Sequence, residues 1–274
     1  MEISRIAFEK LQNTRDLGQF TTADGRKIRP RRLLRSGNLH DLSLEDRAIL
    51  QNDYQLRVVI DLRTETERRS EPDTKIGSVE YLWIPILDES TMGITQETET
   101  QANGQDQLIA LLKRPQFDAT TYMTDIYRQL IRNPSSRNQY RSFFEALLAA
   151  PENGAVLWHC SAGKDRVGIA TVLLLSALGV SQEDITEDYL ATNSFYQETL
   201  FQIIAQLTQR AGTKDIIPQI DAFFSVAPDY LNAVRDEINT SFGGMDAFLE
   251  HEMGLDEAKR NLLRERFLLP GNGI

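Results

Sequence analysis

His159-Cys160-Ser161-Ala162-Gly163-Lys164-Asp165-Arg166-Val167-Gly168 carries the one cysteine of a 274-residue chain. Before it stands the apolar run Ala155-Val156-Leu157-Trp158, and after it the longer run Ile169-Ala170-Thr171-Val172-Leu173-Leu174-Leu175. A short apolar run bounded by turn residues reads as a buried strand, and the longer one with its neighbours as a helix. The thiol therefore sits on a tight loop between a strand and a helix start, with an arginine six residues on.

That placement has chemical consequences. The first amides of a helix lack intrahelical partners and point at whatever fills the loop before it. The aligned peptide dipoles add partial positive charge there, and successive loop amides can curl into an anion nest. Gly163 and Gly168 let the backbone turn tightly and approach a ligand. Arg166 offers a planar fork for two phosphate oxygens. A free thiol has a pKa of about 8.5, and helix N-termini and cations lower it. On this reading Cys160 is largely ionised at neutral pH and attacks phosphorus, while Arg166 and the backbone amides of Ser161, Ala162, Gly163, Lys164, Asp165 and Arg166 hold the phosphate. No metal or other cofactor is called for, because amides and guanidinium supply the countercharge. A lone cysteine is ordinarily a small buried hydrophobe; the arginine spacing and the strand–loop–helix setting weigh against that role here.

The loop resembles the Cys-x5-Arg signature of cysteine-dependent protein tyrosine phosphatases. Its form, His-Cys-x-x-Gly-Lys-Asp-Arg, is similar to that of bacterial atypical tyrosine and dual-specificity phosphatases, some of which also hydrolyse phosphoinositides. Asn13-Thr14-Arg15-Asp16-Leu17-Gly18, Leu34-Arg35-Ser36-Gly37, Asp61-Leu62-Arg63 and Asp188-Tyr189-Leu190-Ala191-Thr192-Asn193 resemble further segments of that group. The resemblance covers most of residues 10–270. It implies a tyrosine-phosphatase-like fold, a phosphocysteine intermediate, and a phosphorylated protein or phosphoinositide as substrate. There are departures. Val167 stands where a hydroxyl residue is common, so a hydrogen bond that helps the thiolate leave is missing, and Thr14 and Gln19 replace phenylalanine and glycine.

Two aspartates compete to protonate the leaving oxygen. Asp165 lies in the loop, and the resemblance implies the acid role for it. Asp88 follows Ile84-Pro85-Ile86-Leu87, as the acid follows a strand in many dual-specificity phosphatases. Asp165 is favoured; otherwise it partners a loop cation, and Asp88 is a turn residue. His159 reads as a buried hydrogen-bonding residue that tunes the thiolate indirectly. Lys164 reads as a mobile charge that binds a second phosphate or raises the local potential. Asp61 and Arg63 end a strand beside the loop and either brace it or form a strand-end ion pair. Arg15, Asp16 and Arg35 are read in the same way.

Around this loop the chain reads as α/β. Residues 33–34, 56–62, 79–86 and 155–159 are strand-like, with Pro85 marking a strand end or an edge. Ser43 with Asp46 and Ser181 with Asp184 look like capping boxes, and Gly179 sits where a C-terminal cap belongs. Strands alternating with helices imply a mostly parallel sheet flanked by helices. Residues 89–106 are polar and read as a flexible loop or insert. With helical stretches at 108–113 and 122–132 they make a candidate lid over the site. From residue 195 the chain is helical nearly to its end, broken at Gly243-Gly244. We expect one phosphatase domain over 1–274 with an insertion at about 89–132.

The net charge of −10 argues against a nucleic-acid surface, though not against a phosphate pocket, where local fields decide binding. The arginine-rich stretch 26–32 reads mostly as solvated surface. No apolar run reaches the ~20 residues of a membrane span. Met1-Glu2-Ile3-Ser4-Arg5 lacks the apolar segment of a secretory signal, and one cysteine permits no intrachain disulfide, so a cytoplasmic setting is expected. Three readings stand at this point: a phosphomonoesterase acting on phosphotyrosine, with phosphoserine, phosphothreonine and phosphoinositides as further candidates; a sulfur-transfer or arsenate-reducing enzyme, disfavoured by the lack of a resolving cysteine; and a phosphate-binding module without turnover.

Overall fold

Three strands buried on both faces decide the architecture. In the computed structural model, which describes residue 3, residues 5–87 and residues 102–271, the chain opens with β1 (Arg15–Asp16) and a single 3-10 turn, then β2 (Leu33–Ser36). Next come α1 (Leu44–Ala48), which widens into a π turn over Ile49–Asp53, β3 (Val58–Asp61), α2 (Glu65–Ser70) and β4 (Glu80–Trp83). Three helices follow, α3 (Ala102–Leu112), α4 (Ala119–Arg132) and α5 (Pro134–Ala149), before β5 (Val156–His159) and α6 (Asp165–Leu178). The rest is helical: α7 (Gln182–Ala211), α8 (Ile217–Phe224), α9 (Pro228–Phe242), α10 (Met245–Ala247) with its own π turn, and α11 (Glu257–Phe267).

The sheet order is β1-β2-β5-β3-β4. Only the β1–β2 pair is antiparallel; the others are parallel, as alternating strands and helices require. Successive side chains of a strand face opposite ways. Leu33, Val58, Ile60, Val156 and Trp158 accordingly join the larger core under α4 to α7, while Leu34, Val59 and Leu157 join a smaller one with Phe8, Leu11, Leu39 and Leu42. β4 lies at the edge, half exposed, and Pro85 falls just beyond it. The long crossover to β5 places the last strand of the sequence in the middle of the sheet, and every residue of α6 except Ser176 is buried. A helix apolar on all sides belongs inside a layer.

Several local expectations hold. Ser43 and Ser181 cap α1 and α7 by accepting from the Asp46 and Asp184 amides, and Gly179 ends α6 at φ +89°. Asp46 does not return the cap, however. Its carboxylate accepts from the amides of Glu9, Lys10 and Leu11 at 2.7, 2.8 and 3.1 Å, pinning the N-terminal segment over the smaller core. The polar insert is only partly visible: Asp88 and residues 89–101 lie outside the described residues. The helical stretches after it exist as α3 and α4. α4 is no surface excursion, since Met123, Ile126, Tyr127, Leu130 and Ile131 are buried and it packs against α8 and α9. α5 and α8 were not anticipated as separate helices.

A buried triad ties the sheet edge to α7. Asp188 accepts from Arg15 Nε at 2.9 Å and from Arg35 Nη1 at 2.5 Å, all three side chains being excluded from water. Burial and the neighbouring Arg35 push Arg15 down to about 10, while Asp188 pulls it back. Removing one member of a buried ion group leaves an uncompensated charge, at a cost of about 3–5 kcal/mol. Asp188→Asn is therefore expected to lose stability on that scale in urea denaturation, with an unchanged m value; a loss below about 1 kcal/mol would mean that the triad is not holding the two layers together.

Candidate active site

Parallel register assembles the site. Asp61 and Ser36 both stand opposite His159, so the last residues of β2, β3 and β5 form one row, and the loop 160–164 leaves from its centre. α6 begins directly after that loop, and its N-cap residue, Lys164, offers no acceptor to its first amides.

The loop is held in shape from outside. The Asn38 amide donates to Ser161 O at 2.9 Å, Asn13 Nδ2 to Ala162 O and Gly163 O at 3.0 Å each, and Arg35 Nη2 to Gly163 O at 2.8 Å. His159 Nδ1 lies 3.2 Å from Cys160 O. In a trans peptide the carbonyl and the following N–H point in opposite directions. Pinning the carbonyls of 160–163 outward thus turns the amides of Ser161, Ala162, Gly163 and Lys164 inward. Gly163 makes this possible: at φ +67° an added Cβ would stand 2.4 Å from Ser36 O. Gly168, by contrast, sits inside α6 and lets Tyr189 pack close, with 3.3 Å between a built Cβ and that ring. Its smallness serves helix packing rather than approach to a ligand.

Arg166 occupies the first turn of α6, buried, and is gripped from the side by Glu67. Nη1 donates to Oε2 and Nη2 to Oε1, both at 2.7 Å. Glu67 is itself placed by a complete capping box: it accepts from the Thr64 amide at 2.8 Å while Thr64 caps α2, and Ser161 Oγ adds a bond of 2.6 Å. Burial works against ionising Glu67, but Arg166, Ser161 and the Thr64 amide hold its carboxyl below the usual range. The sequence does carry a signal for this residue, Thr64-Glu65-Thr66-Glu67 directly after a strand, the pattern of a capping box.

The thiol departs from expectation. Complete burial pushes Cys160 up; Arg166 and a hydrogen bond from the Val167 amide pull it down, and Asp165 and Glu67 push it up again. The ionised thiol expected from a helix dipole and a guanidinium is opposed here by desolvation and by a guanidinium already paired with Glu67. Lys164 also departs. Instead of a mobile charge it is a buried ammonium, donating to Phe223 O at the end of α8 at 2.9 Å and lying 3.4 Å from Asp165 Oδ2. Asp165 accepts from the hydroxyl of Tyr127 on α4. Burial and the Asp165 carboxylate raise Tyr127 well above its ordinary value, so the phenol keeps its proton and donates it.

Asp61 and Arg63 do form a strand-end pair, bidentate at 2.9 Å, and it extends further: Arg63 Nη2 also reaches Asp73 Oδ1 at 2.7 Å. Asp61, Asp73 and His159 lie close enough together to surround a metal ion. The Arg63 guanidinium already meets both carboxylates, so a cation's charge is supplied there by protein. Asp73 was missed by sequence reasoning, being one acidic residue of a polar loop. A cavity of about 300 Å³ opens beside Ser161 and Ala162, between Gln12, Asn38 and Tyr196. A larger one, about 580 Å³, lies among Arg29, Arg32 and Arg266. Arg32 precedes β2, so that cavity is at the opposite end of the strands from Cys160; Arg32 and Arg266 donate to carbonyls of residues 150–152 just after α5, and Arg29 to that of Glu265.

Comparison with known proteins agrees with this chemistry. The profile described as the tyrosine phosphatase family matches residues 6–269. A Cupriavidus necator protein, provisionally named as a tyrosine-protein phosphatase, is 32% identical over 260 residues, covering 93% of this chain and 86% of its own length. The triple specificity protein phosphatase PtpB of Mycobacterium tuberculosis is 32% identical over 274 residues, 92% of this chain and 95% of that protein. A tyrosine-protein phosphatase of Nostoc commune is 29% identical over 133 residues, under half of each chain.

Because Glu67 fixes the Arg166 plane, Glu67→Gln is expected to lower kcat/KM for an aryl phosphate by on the order of 10²-fold, the scale of a small misplacement of a catalytic group. Steady-state kinetics with p-nitrophenyl phosphate checks this, and wild-type turnover in the variant would separate Glu67 from the chemistry.

Proposed function

Since the chain belongs to the tyrosine phosphatase family and is a cysteine-based phosphatase, we propose that Cys160 is its nucleophile, Arg166 and the amides of the 161–166 loop its phosphate cradle, and Asp165 its general acid. One observation carries the reading: a buried thiol accepts from the Val167 amide at the start of α6, with Arg166 in that helix's first turn and the carbonyls of 160–163 tied outward. Phosphoryl transfer needs little covalent assistance from a protein beyond placement and charge stabilisation. Sulfur attacks phosphorus in line, the leaving oxygen takes a proton, and water then displaces the cysteine to release inorganic phosphate.

Asp165 supports the acid assignment by its position at the mouth of α6, between Tyr127 and Lys164. Tyr127 bonds its Oδ1, and its Oδ2 lies 3.4 Å from the Lys164 ammonium. Asp88, the other candidate, lies outside the described residues. We further read residues 1–274 as one phosphatase domain, with 89–132 as an insertion whose α4 helps roof the loop. The substrate class follows the relatives: one of them is named for triple specificity, and phosphotyrosine, phosphoserine or phosphothreonine and phosphoinositides are the matching candidates here. No helix among the described residues is long and apolar enough to cross a membrane.

Two variants test the assignment. Cys160→Ser is expected to abolish turnover of an aryl phosphate while retaining vanadate binding by calorimetry; undiminished turnover would refute a covalent sulfur intermediate. Asp165→Asn is expected to slow substrates with poor leaving groups by on the order of 10²–10⁴-fold and those with good ones far less. Equal slowing across a leaving-group series would assign Asp165 to bracing the loop.

A further inference from the structure

Residues 26–32 read in sequence as mostly solvated, yet part of that stretch is built into the fold. Ile28 is wholly buried and bridges Leu268, the Arg29 amide donates to Phe267 O at 2.7 Å, and the Leu269 amide donates to Lys27 O at 2.8 Å. Arg32 O accepts from the Val156 amide at 2.9 Å. The segment before β2, the start of β5 and the end of α11 are thereby fixed around the cavity of about 580 Å³, at the end of the sheet away from Cys160.

Three half-buried arginines line that cavity: Arg29, Arg32 and Arg266. The wholly buried arginines among the described residues are each met by a carboxylate, Arg15 and Arg35 by Asp188, Arg63 by Asp61 and Asp73, Arg166 by Glu67. These three are not. Glu152 and Glu265 also line the cavity, but both are exposed and neither forms an ion pair with any of the three. Arg32 and Arg266 have a structural use, since cations are favoured at the carbonyl end of a helix such as α5. Arg29 has no comparable use: its guanidinium reaches only Glu265 O, at 3.5 Å. The gathering of like charge is felt. Burial lowers Arg32, and so do Arg29 and Arg266, with Glu152 working the other way. The Nε atoms of all three are shut from water and have no acceptor among the described residues, which is a cost the protein leaves unanswered. The lining also holds Pro30, Leu262 and Leu269, the two leucines being 40% and 38% exposed.

We propose that this cavity binds an organic phosphate, a phosphate group carried on an apolar body, at a site separate from the Cys160 loop. Guanidinium forks match phosphate oxygens, and local fields decide binding even in a chain of net charge −10. A phosphate monoester brings about two negative charges and three acceptor oxygens, enough to answer three guanidiniums. A carboxylate brings one charge and two oxygens. The apolar body lies over Leu262 and Leu269, which otherwise stand uncovered beside the arginines. The lining contains no thiol, hydroxyl or imidazole, so the ligand is held there and not turned over. The site does not depend on the reading of Cys160 as nucleophile.

The probe is benzylphosphonate, which lacks the ester oxygen a phosphatase releases. Calorimetric titration of the full wild-type chain is expected to resolve two sites, the loop and this cavity. Arg29→Gln removes one long hydrogen bond and so keeps the fold. It is expected to weaken one site about tenfold, the scale of one charge-assisted contact, and to leave the other site and turnover of p-nitrophenyl phosphate unchanged. Lys27→Gln, which removes an exposed cation from the same stretch, is expected to change neither site. Leu262→Ser is expected to weaken the Arg29-dependent site for benzylphosphonate and not for inorganic phosphate. A single site, or two that are both indifferent to Arg29→Gln, overturns the proposal. So does an equal loss in Lys27→Gln, which would mean diffuse attraction rather than a built site. Phenylacetate binding the Arg29-dependent site as tightly as benzylphosphonate overturns the phosphate class, and inorganic phosphate binding as tightly overturns the apolar body.

Discussion

A guanidinium removed from water has to be met by a carboxylate, and much of this structure follows from how Glu67 meets Arg166. The pair is bidentate and dry. Breaking such a pair costs far more than its net formation yields, because the surviving charge keeps its desolvation penalty. Glu67 therefore needs a fixed backbone, and α2 provides one: a short helix launched from β3, whose first turn is locked by a reciprocal cap at Thr64. The same helix start is followed by the loop that delivers Asp73 to Arg63. One strand–helix unit thus supplies acidic partners for both Arg166 and Arg63, and the parallel pairing of β3 with β5 sets it beside Cys160.

The other flank works through carbonyls. Asn13 and Arg35 hold the backs of Ala162 and Gly163. Asp188 in turn holds Arg35 and Arg15, which makes α7 part of the loop's support although none of its residues belongs to the loop. A cradle of amides with such backing needs no reorganisation when an anion arrives, and preorganised dipoles in a dry site are worth more than the same groups in water.

How much of this was written legibly in the chain depends on the distance over which each residue acts. The strand–loop–helix unit of residues 155–178 is local, and its apolar runs, glycine turn and arginine spacing specify both the fold class and the place of Cys160 and Arg166. The short strand β1 and the helices α5 and α8 gave little signal, since two residues have no period and a helix closed by neighbouring helices need not show a clean face. Residues 15, 35 and 188 were marked by resemblance, yet their convergence on one carboxylate is a tertiary fact. Lys164 shows the limit most plainly. Nothing in Gly-Lys-Asp-Arg says that its ammonium will turn away from the loop mouth to the carbonyl of Phe223, because that acceptor arrives from a helix 59 positions later.

The burial of Lys164 and Asp165 alters what the loop can do at rest. Both are roofed by α4 and α8, through Tyr127 and Phe223 respectively. A charged pair under an apolar cover is stable only while each charge keeps its partners. The resting arrangement matches Arg166 with Glu67 and Lys164 with Asp165. On the proposed reading, a phosphate entering beside them draws on cations that already have carboxylate partners, so its charge falls on the loop amides as well.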